Sequence, residues 1–189
     1  MTLSLQSTAT TARGGKVAIL LRDNERFHHT FEVAAESPFA PGNHDRDDTA
    51  LRQNIVFRAN EELKAFFSNL DDWAISYITE HSERILGKQI GRDHVSHGFI
   101  SNLKTVEGRV PLVKMKLNMP GSTKATRCWD QQGETSEFIT DWVGKTIKIS
   151  VMVSHLWIMG TGGKAEFGFV VLVTDAMEEK VQHEFPFGP

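Results

Sequence analysis

Between Ser154 and Val173 the sequence reads SHLWIMGTGGKAEFGFVVLV, and the turn Gly160-Thr161-Gly162-Gly163-Lys164 within it has the residue types of a phosphate cradle. A nucleotide loop needs a glycine five positions before its final Gly-Lys pair and a hydroxyl residue after the lysine to hold magnesium. Here Ile158 and Ala165 occupy those positions. Such a loop also opens a helix whose amides hold the anion, whereas Ala165 to Val173 has strand character. The turn is therefore predicted to be the bend of a β-hairpin.

The histidines suggest metal or acid–base chemistry. GRDHVSHGF places His94 and His97 three apart beside Asp93, and GNHDRDD places His44 beside Asp45, Asp47 and Asp48. Neither segment has a zinc spacing such as H-E-x-x-H, so these are expected to be solvated loop residues, with no metal and no other cofactor. A metal-dependent or nucleotide-processing enzyme would have to draw on His44, Asp45, Asp47, His94 and His97. His155, within an apolar strand face, reads as a hydrogen-bonded core histidine. Cys128 lies between Arg127 and Trp129, where a cation could activate a thiol, but no Cys-His signature surrounds it and a buried structural role is expected. No G-x-S-x-G elbow is present. The chain is read as a non-enzyme.

A third set of residues is basic and aromatic. Lys104, Arg109, Lys114, Lys116, Lys124, Arg127, Lys145, Lys148 and Lys164 fall in the segment that also carries Trp129, Trp142, Trp157 and Phe167. Cations that meet phosphates and rings that stack on unpaired bases are what a single-strand groove requires. The competing reading makes the lysines an ordinary outer strand face and the rings core.

Those residues must be positioned by strands and one helix. In VPLVKMKLNMP, Val113, Met115 and Leu117 alternate with Lys114, Lys116 and Asn118, which predicts a strand with a basic outer face. Ile147, Ile149, Val151, Val153, His155 and Trp157 alternate in a second strand, and by parity Trp157 should share the core side. Ala165 to Thr174 is a third, with Phe167, Phe169, Val171 and Val173 on one face. Val170 and Leu172 opposite them suggest burial on both sides, for example beneath a helix. KVAILLRD and HHTFEVAAE, joined through DNER, predict a hairpin, and LRQNIVFRA a further strand. SPFAPGNHDRDDTA, from Ser37, has no periodicity and reads as an exposed loop. Asn60 is a favourable N-cap before Glu61 and Glu62, and Leu63, Phe66, Phe67, Leu70, Ala74, Tyr77 and Ile78 mark one long helix stopped by Gly87.

The whole chain is consistent with that organisation. At 189 residues and 40% hydrophobic it supports one domain with decorated ends: a flexible tail over 1–15, a domain over 16–176 and a C-terminal tail over 177–189. A formal charge of -3 does not advertise a polyanionic partner, so any basic surface must be local. The first segment, MTLSLQSTATTARGG, has the hydroxyl-rich, acid-free composition of an organellar transit peptide but no secretory apolar core. The longest apolar run, Phe167 to Val173, falls far short of the roughly 20 residues that span a bilayer. With one cysteine, no internal disulfide can form, and a reducing intracellular setting without membrane contact is expected.

LKTVEGRVPLVKMKLNMPGSTKATRCWDQQGE followed by DWVGKTIKISVMVSHLWIMGTGGKAEFGFVVLVTDAM resembles the single-stranded DNA-binding proteins of large eukaryotic DNA viruses and tailed phages. The shared features are the lysine-alternating strand PLVKMKL, the turn in WDQQG, and a strand ending in Leu-Trp-Ile that returns through Lys-x-x-Phe-Gly. They span about residues 51–176 and include the preceding helix. The resemblance implies a mainly β, OB-like five-stranded barrel with one long inserted helix and an N-terminal hairpin, coating single-stranded DNA, with RNA as an alternative strand, in replication and recombination.

Its implied contacts are Lys104, Lys114, Lys116, Lys124, Arg127, Lys148 and Lys164 on phosphates. Trp157 and Phe167 are the aromatic positions shared with the family, and Trp129 is the ring expected to stack. Phage members carry a long acidic tail that recruits partner proteins; here DAMEEKVQHEFPFGP follows, expected as a poorly ordered terminus, with a short docking tip for replication proteins at Phe185 and Phe187 as the alternative. Homo-oligomerisation is a further expectation. The alternative is a self-assembling β protein, such as a viral coat or nucleocapsid subunit.

Overall fold

A computed structural model describes residues 2–6, 9–12, 14–43, 49–160 and 164–179. The predicted N-terminal hairpin forms with a tighter turn than expected. Asp23 and Asn24 both adopt positive φ, 51° and 68°, as a two-residue hairpin loop demands, so β4 (Leu20–Arg22) returns directly as β5 (Glu25–Thr30). The first fifteen residues are not simply a tail. Leu3 and Leu5 flank Ser4 in β1 (Leu3–Leu5), which pairs with β4, while β2 (Ala9–Thr10) pairs with β3 (Lys16–Ala18). The two leucines pack against the core, and the edge of β4 supplies the hydrogen-bond partners.

Beyond β6 (Ala35–Ser37), the segment expected as a loop touches the sheet at an isolated Gly42–Asn54 bridge; residues 44–48, with His44, Asp45 and Asp47, lie outside the described residues. β7 (Arg52–Arg58) leads into α1 (Glu61–Glu80), whose N-cap Asn60 accepts the Leu63 amide as expected. Leu63, Phe67, Leu70, Ala74 and Ile78 form its buried stripe, each large side chain contributing about 1.5–3 kcal/mol on leaving water.

The predicted long helix is present as α1 but breaks before Gly87. His81, at φ -112° and ψ 17°, interrupts the run; α2 (Ser82–Leu86) restarts it and ends at Gly87 in the left-handed conformation, the stop foreseen. The histidine segment expected as loop folds as α3 (Arg92–Gly98), because Val95 is buried beneath it.

β8 (Leu103–Lys104), β9 (Leu112–Asn118), β10 (Arg127–Trp129), β11 (Thr135–Ser136), β12 (Lys145–Met159) and β13 (Glu166–Glu178) complete the chain. β13 thus continues past residue 176 into the segment read as a tail. The described strands number thirteen rather than five and belong to one sheet. Its long members run β5, β12, β13, β9, β7, with β9 and β13 parallel. The sheet curls until β6, on β12, and β7 approach each other through the Gly42–Asn54 bridge. Ile55, Phe57, Val113, Met115, Leu117, Ile149, Val151, Phe167 and Val171 fill the inner face.

β12 and β13 form the predicted hairpin, closing at Met159 opposite Glu166; residues 161–163 of its turn are outside the described set. The hairpin contains two irregularities that its alternation did not disclose. Ser150 pairs with Asp175 and Val151 with Val173, so Thr174 is an extra residue on β13; Val153 pairs with Val171 and His155 with Val170, so Ser154 is extra on β12. Each such bulge reverses the parity of the residues beyond it. After Ser154 the buried positions become Leu156 and Ile158, while His155 and Trp157 turn to the outer face.

Candidate nucleic-acid interface

The ladder registers assemble one transverse row on the outer face. Asn54 of β7 pairs with Lys116 of β9, Lys116 with Leu172 of β13, Leu172 with Met152 of β12, and Met152 with His28 of β5. Val56 opposite Lys114 and Arg52 opposite Asn118 lie on either side of this row. Leu172 is 6% exposed and Val170 half-buried, as the sequence suggested, but they face this outer surface and not a helix.

A groove of about 730 Å³ runs along this face, lined by Arg26, His28, Arg52, Lys124 and Arg127 over a floor that includes Met152, Leu172 and Thr174. Three cations of this face are held by neutral acceptors. Arg52 Nε donates to Asn118 Oδ1 at 3.1 Å, Lys116 Nζ to Asn54 Oδ1 at 2.7 Å, and an Arg26 guanidinium nitrogen to the Ser154 carbonyl at 3.3 Å. Lys114 and Lys124 have no carboxylate partner among the described residues. Five cations elsewhere are ion-paired: Lys148 with Glu32, Lys145 with Glu178, Arg58 with Glu36, Arg92 with Asp72 and Lys64 with Glu61, while Lys16 donates to the Ile85 carbonyl and Arg84 to the Tyr77 hydroxyl. The one carboxylate among the described residues lining the groove, Asp175, binds Arg127 at 2.7 Å.

Among the described residues this face therefore carries an excess of positive charge, and two of its titratable groups are shifted accordingly. Lys116 is held below the ordinary lysine range by burial, then by Lys114 and Arg52. His155, whose Nδ1 meets Ser154 Oγ at 3.0 Å, is lowered by burial, then by Arg52 and Arg26. Expected in the core, it is instead half-buried on the outer side of the bulge.

The aromatic positions separate. Phe167 is 1% exposed and packs against Phe99 with the rings tilted, so it belongs to the core. Trp157 is half-buried and lines a cavity of about 250 Å³ with Lys114, Lys116 and Val170. It occupies the space above Gly168, its ladder partner. Trp129 is half-buried beside the groove, its Nε1 donating to Asp175 Oδ1 at 2.9 Å and its ring lying 5.4 Å beneath the Arg127 guanidinium. Trp142 is fully buried.

No protein-family model matches the chain, and no curated protein matches it in sequence. Solved structures do overlay on it. The single-stranded DNA-binding protein encoded by bacteriophage T7 aligns at TM-score 0.49 and 9% identity over 86% of this chain and 97% of that one. The single-stranded DNA-binding protein from bacteriophage Enc34, in complex with ssDNA, aligns at 0.49 and 9% over 94% and 97%.

Of the expected contacts, Lys114, Lys116, Lys124, Arg127 and Trp157 come together on this face, with Trp129 at its margin. Lys148 lies beside Trp129 but is engaged with Glu32. Lys104 is exposed on β8 and Lys164 lies in a different depression with Asp93, His94 and His97, so neither lines the groove. Arg26, His28 and Arg52 were missed by the reading of the sequence, although Arg26 and His28 alternate with Phe27, and Arg52 and Asn54 with Gln53 and Ile55. Cys128 is buried; its sulfur accepts the Ile139 amide at 3.5 Å and burial pushes its thiol above the usual range, an inert setting. At the rim beside Trp157, Ser101 donates to Asp71 of α1, whose other carboxylate oxygen is buried without a partner. Burial raises Asp71 to about 6.

Proposed function

We propose that this chain binds single-stranded nucleic acid, without marked sequence preference, along the outer face of an OB-like curled sheet, DNA being the form implied by the sequence resemblance. The observation that carries this reading is the state of the cations on this face: Arg52, Lys116 and Arg26 rest on amide and carbonyl oxygens, and Lys114 and Lys124 have no carboxylate partner among the described residues. Phosphate oxygens are stronger acceptors than these neutral groups, so a polyanion gains charge-assisted hydrogen bonds without first breaking a salt bridge at Arg52, Lys116 or Arg26. Released counterions add the salt-dependent part of the affinity.

Bases would rest on the apolar side chains between the cations, Leu172, Met152 and Val170, with Trp157 as the ring for stacking. That floor accepts base faces, which only an unpaired strand offers. No step of this reading requires a covalent change, and the groove acts as a non-enzymatic binding surface.

The test is a tryptophan-fluorescence titration with single-stranded and duplex oligonucleotides at two salt concentrations. Quenching by the single strand, tighter binding than to duplex, and loss of affinity at the higher salt are expected. Absence of quenching, or equal affinity for duplex, overturns the proposal.

A further inference from the structure

Asp175 is the one carboxylate among the residues lining an otherwise cationic groove, and a single one of its oxygens, Oδ1, accepts from both Arg127 at 2.7 Å and Trp129 Nε1 at 2.9 Å. The pair is asymmetric. The Asp175 side chain is 20% exposed and the Arg127 side chain 63%, so the carboxylate is anchored while the arginine can swing away. In its present position the guanidinium lies 5.4 Å from the centre of the Trp129 ring and covers a face that a base would use. Beyond Asp175 lies a mostly apolar depression of about 280 Å³, lined by Trp129, Ile149, Ala176 and Met177.

From this geometry, and resting on the proposed strand-binding role of the groove, we infer that Asp175 is an autoinhibitory residue of the groove. It stands in for a phosphate and latches Arg127 over Trp129 in the free protein. A phosphate in the groove draws Arg127 off Asp175, and the same movement uncovers the ring beside the apolar depression for the adjacent base. Trp129 keeps its orientation because its N–H remains on Asp175. A single strand supplies both groups and recovers the lost ion pair through stacking. Duplex, or any polyanion without free bases, supplies phosphate alone and bears the cost of opening the latch.

Asp175→Asn keeps an oxygen acceptor for the Trp129 N–H and removes the charge that holds Arg127. Affinities of wild type and variant are measured for a short single-stranded oligonucleotide, for a duplex of equal length, and for inorganic polyphosphate. The variant is expected to bind all three ligands about fivefold more tightly, the worth of a partly exposed ion pair, because each must draw Arg127 off Asp175; in an Arg127→Ala background the same substitution is expected to change affinity by less than about twofold. A gain of equal size in that background, or no gain for any ligand while wild type still binds the single strand, overturns the latch and leaves the groove assignment standing. A wild type that binds no single strand removes the groove assignment, and the latch with it. Far-UV circular dichroism of the variant establishes that it is folded, and Asp175→Ser, which also lacks the charge, repeats the comparison if it is not.

Discussion

The indole of Trp157 occupies the volume that a side chain at Gly168 would take: a Cβ there would meet Trp157 Cζ2 at 3.1 Å and the Ile100 carbonyl at 2.5 Å. Glycine at 168 thus lets two things happen at once, the docking of the Ile100 segment on β13 and the seating of an outward ring. Gly168→Ala is expected to cost about 1–3 kcal/mol of stability, since backbone must give way, and to shift tryptophan emission. Urea denaturation and emission spectra check this. Trp157→Ala leaves that backbone contact intact and is expected to weaken single-strand binding by about 1–3 kcal/mol.

Reversal of Lys114 and Lys116 to glutamate should weaken binding and flatten its dependence on salt. Two lost phosphate contacts reduce the slope of log affinity against log salt by about 1.4 for a single strand. The ion-paired Lys145 is a control, and Lys145→Ala should leave the slope unchanged within error. A folded double variant that retains the wild-type slope removes β9 from the interface.

Arg52 and Lys104 distinguish the groove from basic composition as such. Arg52→Ala removes a guanidinium whose Nε donates to Asn118 Oδ1, and affinity is expected to fall about tenfold. Lys104→Ala and Lys164→Ala lie off the groove and should stay within about twofold. Parallel titrations of the three variants decide the matter; equal losses would mean that general positive charge, and not this face, attracts the strand.

Asp71 predicts a pH-dependent stability of a specific sign. Its folded value of about 6 lies above the 3.8 of an unperturbed carboxyl, chiefly through burial, so folding favours the protonated form. The associated stability is complete below 3.8 and is lost as pH rises through 6. Asp71→Asn should then stabilise the protein at pH 7 to 8 by about 1 kcal/mol, partial exposure screening the rest of the linkage, and by nothing near pH 4. Urea titrations at both ends of that range measure the difference. Stabilisation of equal size at pH 4 would assign the effect to packing.

Much of the sheet was legible because it alternates cleanly. Val113, Met115 and Leu117 against Lys114 and Lys116 gave both strand and faces, and Asn60 gave the start of α1. The features that escaped had physical causes. The break at His81 falls inside a continuous apolar stripe, and α3 is held by one buried residue, Val95, too weak a signal in a seven-residue stretch. β1 exists only because β4 offers it an edge, a fact of tertiary structure. In the candidate site, attention to lysines and tryptophans drew the eye away from the N-terminal half, and Arg26, His28 and Arg52 were passed over although their alternation was present. Parity alone points Trp157 toward the core because it assumes an uninterrupted ladder, and the bulge at Ser154 reverses it.

The bulge at Ser154 gives that last point a wider meaning. Which of Leu156 and Trp157 meets solvent is fixed by the number of backbone atoms preceding them, not by their own chemistry. Loss of a single codon at 154 would leave the hairpin's composition nearly intact, yet would turn Trp157 inward and set Leu156 and Ile158 among the lysines. The outward ring is thus a matter of reading frame within the strand, and a homologous sequence lacking the extra residue would present an aliphatic surface from the same letters.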